Sequence, residues 1–207
     1  MRSTAASRLI LLALLLSLGI GGLFARSIWT LRAEEWSSAE RTNANLARAL
    51  DQSIASTLES FDQSLQGVVA GVTDPQVMAL APTMRNKVLF DNSLRMRGFG
   101  SVVVLDLSGK IIIDSESLTP RQANFADRDY FQVFLSGAHT GLFVGGPVRA
   151  RLNGRHILPV SRAFYGPDGA LAGVVVGSIR LEYFQELLAA LNLGPESSLT
   201  VFRADGV

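Results

Sequence analysis

The sequence contains no cysteine, and this absence excludes several kinds of chemistry at once. The chain can form no disulfide, no thiolate metal site and no cysteine nucleophile. Histidine is nearly as scarce, with 2 residues in a chain of 207, which excludes a histidine-rich metal site. The formal net charge is +1 and gives no electrostatic case for binding nucleic acid. We therefore expect no metal, no cofactor and no nucleic-acid partner.

Catalytic signatures are missing as well. The sequence has neither the nucleophile elbow G-x-S-x-G nor the phosphate-binding loop G-x-x-x-x-G-K-[ST], and the glycine-rich stretch 141–146 fits neither pattern. Asp106 and Asp114 flank a predicted hairpin, but no histidine or third acid lies near them in the sequence. We expect that this chain is not itself an enzyme.

The longest apolar stretch lies close to the N-terminus. From Leu9 to Ala25 there is no charged residue, and a bilayer core needs about 20 apolar residues, with about 17 as the lower limit. No small-residue cleavage site follows, so we predict an uncleaved transmembrane helix over 9–29 rather than a signal peptide. The tail 1–8 carries arginines and no acid, which predicts a cytoplasmic N-terminus and export of the rest.

A long helix is predicted over residues 30–72, which contain no proline. Its apolar residues recur at steps of three and four, which places them on a single stripe: Leu46, Leu50, Ile54, Leu58, Phe61, Leu65, Val68 and Val72. One stripe can serve a homodimer of signal-carrying stalks or a helix packed along its own sheet. The sequence leaves both uses open. Asp74-Pro75 ends the helix, and Pro82 begins a shorter one.

The segment 101–131 predicts half of a small sheet and the start of a helix. Two β-branched runs, 102–105 and 111–113, surround Ser108-Gly109, which is typical of a β-hairpin. Asp127-Arg128-Asp129-Tyr130-Phe131 then begins a helix, with Asp127 as the expected N-cap.

The segment 142–192 predicts the other half of the sheet. A strand over 142–151, interrupted at 145–147, precedes a two-residue hairpin at Asn153-Gly154. Strands over 155–165 and 170–180 follow, and the second is apolar enough to lie centrally. We expect an α+β fold with a five-stranded antiparallel sheet and helices on one side.

Taken together, these motifs resemble the double Cache (PDC) family of extracytoplasmic sensor domains, found in membrane-bound diguanylate cyclases and sensor histidine kinases. The carrying stretches are VLDLSGKIIID at 104–114, DRDYF at 127–131, PVSR at 159–162 and GVVVGSI at 173–179. The resemblance implies a transmembrane helix running into a long helix, which packs on a PAS-like sheet in a membrane-distal Cache domain at 73–192. Residues 193–207 resemble the start of a truncated second Cache unit.

The resemblance also implies a ligand site on the membrane-distal domain. Arg128 and Tyr130 are its best candidates, because a guanidinium matches a carboxylate and a tyrosine adds a donor. Ser161 and Arg162 on the facing strand would complete the site, and Phe143 would form its floor. A purely structural use stays open, in which Arg128 pairs with neighbouring aspartates and Tyr130 packs in the core. The longer tyrosine–arginine–tryptophan pattern of amino-acid-binding relatives is missing.

We therefore expect the ligand-sensing input domain of a bacterial signal-transduction protein, anchored in the inner membrane with its main domain in the periplasm. Its partners are a small molecule, with a carboxylate as the expected class, the membrane and a second copy through the long helix. The output module, a diguanylate cyclase or a histidine kinase, is expected downstream of this chain. The alternative is a single-pass structural or assembly protein of the cell envelope that binds no ligand.

Overall fold

The computed structural model describes residues 2–94 and 97–189. Its elements, in chain order, are α1 (Arg2–Thr73), α2 (Pro75–Met78), α3 (Pro82–Leu94), β1 (Phe99–Leu105), β2 (Ile111–Asp114), α4 (Asp129–Leu135), β3 (Phe143–Val144), β4 (Val148–Arg149), β5 (His156–Tyr165), β6 (Leu171–Arg180) and α5 (Leu181–Ala189). The expected second Cache unit at 193–207 lies outside the described residues.

Contacts divide the chain into two compact units, one up to Ser56 and one from Thr57 onward. The described part of the first unit is helix α1 alone, and it includes the predicted anchor at 9–29. Within the part of the chain that the structure describes, no helix has an apolar stretch that is long enough to cross a membrane. The anchor is therefore not supported by the structure and stays a prediction from the sequence.

The second unit is built on an antiparallel sheet with the order β2-β1-β6-β5-β3. The short strands β3 and β4 both pair with β5 and share one edge of the sheet. The sheet therefore has six strands in five side-by-side positions. The break between β3 and β4 falls at Gly145-Gly146-Pro147, and the amide of Gly145 still donates to the carbonyl of Pro159 at 2.9 Å. Strand β6 lies between β1 and β5, which confirms its central position.

One face of the sheet is covered by the end of α1 together with α2, α3 and α5. Phe61, Leu65 and Val68 of α1 expose no surface, and the ring of Phe61 stacks on Phe99 with centroids 4.8 Å apart. The apolar stripe therefore packs on the chain's own sheet along this stretch. Gly177 of β6 permits the close approach, because a Cβ there would lie 2.6 Å from the Phe99 ring.

An ion pair joins α1 to β5 on this same face. The guanidinium of Arg162 donates through Nη2 to Asp62 Oδ2 at 2.8 Å and through Nε to Asp62 Oδ1. Partial burial alone would raise the pKa of Asp62, but hydrogen bonds from Arg162 and Gln66 outweigh it and lower the pKa below its ordinary value. The pair holds the end of α1 that belongs to the second unit against the sheet.

The opposite face of the sheet carries α4, so the expectation of helices on one side is wrong. Tyr130, Phe131 and Phe134 of α4 are buried against the side chains of β1 and β6 that point to this face: Val103, Leu105, Val174 and Val176. Successive residues of a strand face opposite sides, so runs such as 102–105 and 174–176 supply apolar surface to both layers.

A buried carboxylate organises the loop after β2. The side chain of Asp114 is 0% exposed and accepts from Arg121 Nε at 2.6 Å and from Arg121 Nη2 at 2.8 Å. The amide of Glu116 donates to it at 3.0 Å. The Asn86 side chain of α3 donates to the carbonyl of Asp114 at 2.8 Å. These bonds hold the loop 115–121 against the end of the sheet.

Candidate functional site

A cavity of about 40 Å³ lies on the face of the sheet that carries α4. Its walls come from β1 and β6, from the segment that enters α4, and from the stretch between β4 and β5. The sheet wall is apolar, because Val103 and Leu105 of β1 and Val176 of β6 point to this face. Ser101 and Ser178 line it as well, but the hydroxyl of Ser178 already donates to the Ser101 carbonyl at 3.0 Å.

Arg128 lines this cavity at the entry to α4. It occupies the N-cap position with extended backbone angles, φ −82° and ψ 140°, and its side chain makes no capping hydrogen bond. The Nε atom is buried without a partner, and Nη2 lies 3.5 Å from the carbonyl of Arg149, which is a weak contact. The guanidinium therefore keeps donors available for a bound group.

Tyr130 lines the cavity beside Arg128. The residue is 4% exposed, and this burial raises the pKa of its hydroxyl to about 12. The phenol therefore stays protonated at neutral pH and is available as a neutral hydrogen-bond donor. Arg128 and Tyr130 are thus together in one cavity.

Asp127 does not cap α4 as expected, because it pairs with Arg151 instead. Arg151 donates through Nη1 to Asp127 Oδ1 at 2.7 Å and through Nη2 to Asp127 Oδ2 at 2.5 Å. Arg151 also donates to the carbonyl of Asn124, and its guanidinium lies 5.9 Å from the centroid of the Phe125 ring. The pair connects the loop after β4 to the segment before α4.

The loop after β4 is longer than the sequence predicted. Asn153-Gly154 does not form a two-residue hairpin, because Arg149 pairs with His156 and leaves the whole stretch 150–155 as a loop. Gly154 adopts a φ of +72°, and its amide donates to the carbonyl of Ala150 at 2.9 Å. The extra length places residues 150–153 along the cavity.

Because Asp127 pairs with Arg151, we expect the carboxyl group of Asp127 to titrate at a measurably lower pH than an unpaired aspartate. The hydrogen bonds from Arg151 lower the pKa of Asp127 from 3.8 to about 2, so the pair forms fully above about pH 4 and is lost as the pH falls through about 2. We expect Arg151→Gln to return the pKa of Asp127 toward 3.8 in a carboxyl ¹³C NMR titration. Arg155→Gln, on the same loop, is the control and should leave it unchanged. An unchanged Asp127 pKa in Arg151→Gln would contradict the pairing.

The other predicted site residues lie elsewhere. Ser161 is fully buried on the α4 side, and its hydroxyl donates to the backbone carbonyl of Tyr130 at 2.9 Å, so it supports α4 without lining the cavity. Phe143 packs edge-on against Phe134, with centroids 6.5 Å apart, and does not form the floor. Arg162 points to the opposite face, toward Asp62, and cannot reach the cavity.

The sheet wall and the loop 150–153 were not predicted from the sequence. The alternation of Ser101, Val103 and Leu105 carried a usable signal, because residues two apart on a strand share a face. Nothing local indicated that Arg151 would reach back to Asp127.

The sequence matches the family model of the Cache domain, of the dCache type, over residues 30–207. A search among curated proteins gave no match.

Solved structures share the fold. The extracellular domain of rpHK1S-Z16, a protein described as a histidine kinase, is 26% identical with a TM-score of 0.64, and the match covers 73% of this chain and 61% of that domain. The ligand-binding domain of the Campylobacter jejuni chemoreceptor Tlp3, in complex with 4-methylisoleucine, is 17% identical with a TM-score of 0.51, over 70% of this chain and 69% of that domain. The ligand-binding domain of the Pseudomonas aeruginosa amino-acid chemoreceptor PctC, in complex with GABA, is 22% identical with a TM-score of 0.50. This match covers 66% of this chain and 61% of that domain.

The present chain thus spans about three-fifths of the first of these domains. Because the family match extends over most of the sequence, and these solved structures share the fold, the chain belongs to the Cache domain family.

Proposed function

We propose that this chain is the ligand-binding input part of a membrane-anchored sensor, and that a small molecule binds in the cavity with an anionic group on Arg128. The observation that carries the proposal is the buried, unpartnered Nε of Arg128 in a cavity of a Cache domain. A buried donor without a partner costs free energy, and a bound anion would remove that cost. Tyr130 supplies a second donor beside it.

The proposal includes an extracytoplasmic position and an anchor at 9–29. Ile20, Leu23 and Trp29 of α1 are 51%, 69% and 79% exposed, and side chains of this kind are stable in contact with lipid. The long helix would carry the signal from the domain to the membrane, and a second copy could pair along it. In this view the chain performs no catalysis, and an output module reads the state of α1.

The test is a ligand screen on the purified full chain by thermal shift, followed by calorimetry. The probes are acetate, propionate and lactate, together with valine, isoleucine and GABA. We expect at least one to raise the melting temperature. We also expect Arg128→Ala to weaken its binding by about 30- to 150-fold, since a charged hydrogen-bonded group contributes about 2–3 kcal/mol.

Arg155→Ala is the matched control, because it removes an arginine that does not line this cavity. It should bind the same ligand with unchanged affinity. Undiminished binding by Arg128→Ala would exclude Arg128 as the residue that binds the anionic group of the ligand. If no probe stabilises the wild-type chain, the structural alternative is favoured.

A further inference from the structure

A second cavity, of about 430 Å³, lies where β1 begins and β6 ends. It is a cleft open to solvent, and its volume is within the range of about 300–1,000 Å³ that is usual for small-molecule sites. Within the described part of the chain it shares no lining residue with the cavity at Arg128. The second cavity is therefore a separate candidate site.

The ends of three strands bring three arginines to this cavity. Arg97 lies in the turn before β1, Arg155 precedes β5, and Arg180 ends β6. The amide of Arg180 donates to the carbonyl of Gly98 at 2.9 Å. Arg180 also pairs in register with Ile157, which follows Arg155 by two residues. Strand pairing thus holds guanidinium groups from three separate segments around one cleft.

Helix α5 brings the opposite charge to the same cleft. Glu182 and Glu186 lie one turn apart on α5, and Tyr183 of this helix also lines the cavity. The ring of Tyr183 packs on Gly98, where a Cβ would lie 2.3 Å from it. Two carboxylates at positions i and i+4 of a helix repel each other, so this surface favours a positive group.

The charges around the cleft do not neutralise one another. Within residues 2–94 and 97–189, no ion pair involves any of the three arginines or either glutamate. A ligand with an anionic and a cationic group can therefore pair with both kinds of side chain without breaking an existing ion pair.

The arrangement of the donors indicates the kind of anion. A carboxylate has two oxygens in one plane, whereas the oxygens of a phosphate are arranged tetrahedrally and can accept from guanidinium groups on several sides. Three guanidinium groups that come from three segments of the chain therefore suit a phosphate better than a carboxylate. An amine on the same ligand would pair with the glutamates of α5.

We infer that this cleft is a second ligand site and that it binds a phosphorylated amine. The phosphate pairs with the three arginines, the ammonium group pairs with the two glutamates, and the carbon chain between them lies on the ring of Tyr183. The inference goes beyond the proposed function, because it concerns a different cavity and a different class of ligand.

The test is calorimetry on the full chain with O-phosphoethanolamine. The comparison compounds are ethyl phosphate, which lacks the amine, and β-alanine, which has a carboxylate in place of the phosphate. We expect phosphoethanolamine to bind at least about tenfold more tightly than either, which corresponds to about 1.4 kcal/mol. Glycerophosphoethanolamine distinguishes the source of the ligand. Tighter binding of this compound assigns a lipid headgroup, and tighter binding of phosphoethanolamine assigns a free metabolite.

Substitutions at the cleft test the two ends of the ligand. Arg180→Gln should weaken the binding of phosphoethanolamine by about tenfold, and Glu186→Gln should remove its advantage over ethyl phosphate. Lys87→Gln and Glu59→Gln are the matched controls, because they remove the same charges from exposed residues outside the cleft. Both controls should leave the binding unchanged.

Arg128→Ala and Arg155→Ala separate this site from the first cavity. Arg128→Ala should bind phosphoethanolamine like the wild-type chain, whereas Arg155→Ala should weaken this binding and leave the ligand of the first cavity unaffected. Loss of phosphoethanolamine binding in Arg128→Ala, unchanged binding in Arg180→Gln, equally tight binding of β-alanine, or no binding of phosphoethanolamine would each overturn the inference. The proposed function would stand in all four cases, because it depends on the separate screen at Arg128.

Discussion

Arg121→Ala is expected to lower the free energy of unfolding by about 3 kcal/mol, because it leaves the buried carboxylate of Asp114 without its counter-ion. The side chain of Asp114 is 0% exposed and receives two hydrogen bonds from Arg121. The same hydrogen bonds raise the pKa of Arg121 above its ordinary value. Without Arg121, only weaker bonds from backbone amides remain. Urea denaturation of the purified chain measures the change.

The matched control removes the exposed partner of the same arginine. Glu116 accepts from Arg121 Nη1 at 2.6 Å, but its side chain is 46% exposed. Exposed pairs contribute little, so Glu116→Gln should change the stability by less than about 1 kcal/mol. Equal effects of the two substitutions would contradict the assignment of the stabilisation to the buried carboxylate.

Phe61→Ala is expected to cost about 3–5 kcal/mol, because it removes a fully buried ring from the layer between α1 and the sheet. Its ring stacks on Phe99, and Leu65 and Val68 continue the same contact one and two turns later. The cavity left by the ring cannot fill, because both sides of it are fixed by regular structure. Urea denaturation measures the difference in the free energy of unfolding between Phe61→Ala and the wild-type chain.

Met84→Ala is the control for this substitution, since Met84 is a large apolar residue that is 53% exposed on α3. Its stability should remain within about 0.5 kcal/mol of the wild-type value. A small effect of Phe61→Ala would mean that the end of α1 contributes little to the folded unit, which would contradict the observed packing.

The elements of this fold were predictable where the signal is local. Four features determine structure through their immediate neighbours in the sequence. They are the step of three and four residues in α1, the break at Asp74-Pro75, the interruption at 145–147 and the apolar run in β6. The side of the sheet on which α4 packs was not predictable, because it depends on contacts between residues far apart in the sequence. The Arg151–Asp127 pair is of the same kind.

The candidate site was partly predictable for the same reason. Arg128 and Tyr130 belong to one short segment, and the structure places both in the cavity. Ser161 and Arg162 could not both face it, because neighbours on a strand point in opposite directions. This rule was available from the sequence alone. It places Ser161, which supports α4, and Arg162, which binds α1, on opposite faces of the sheet.

That same alternation makes β5 a mechanical link between the two layers of the domain. Ser161 donates a hydrogen bond to the carbonyl of Tyr130 on one side of the sheet. The next residue, Arg162, forms an ion pair with Asp62 on the other side. A small slide of the strand along its own axis would displace both attachments in the same instant. Ser161 and Arg162 thus connect the carbonyl of Tyr130 in α4 to Asp62 in α1 through two adjacent residues of one strand.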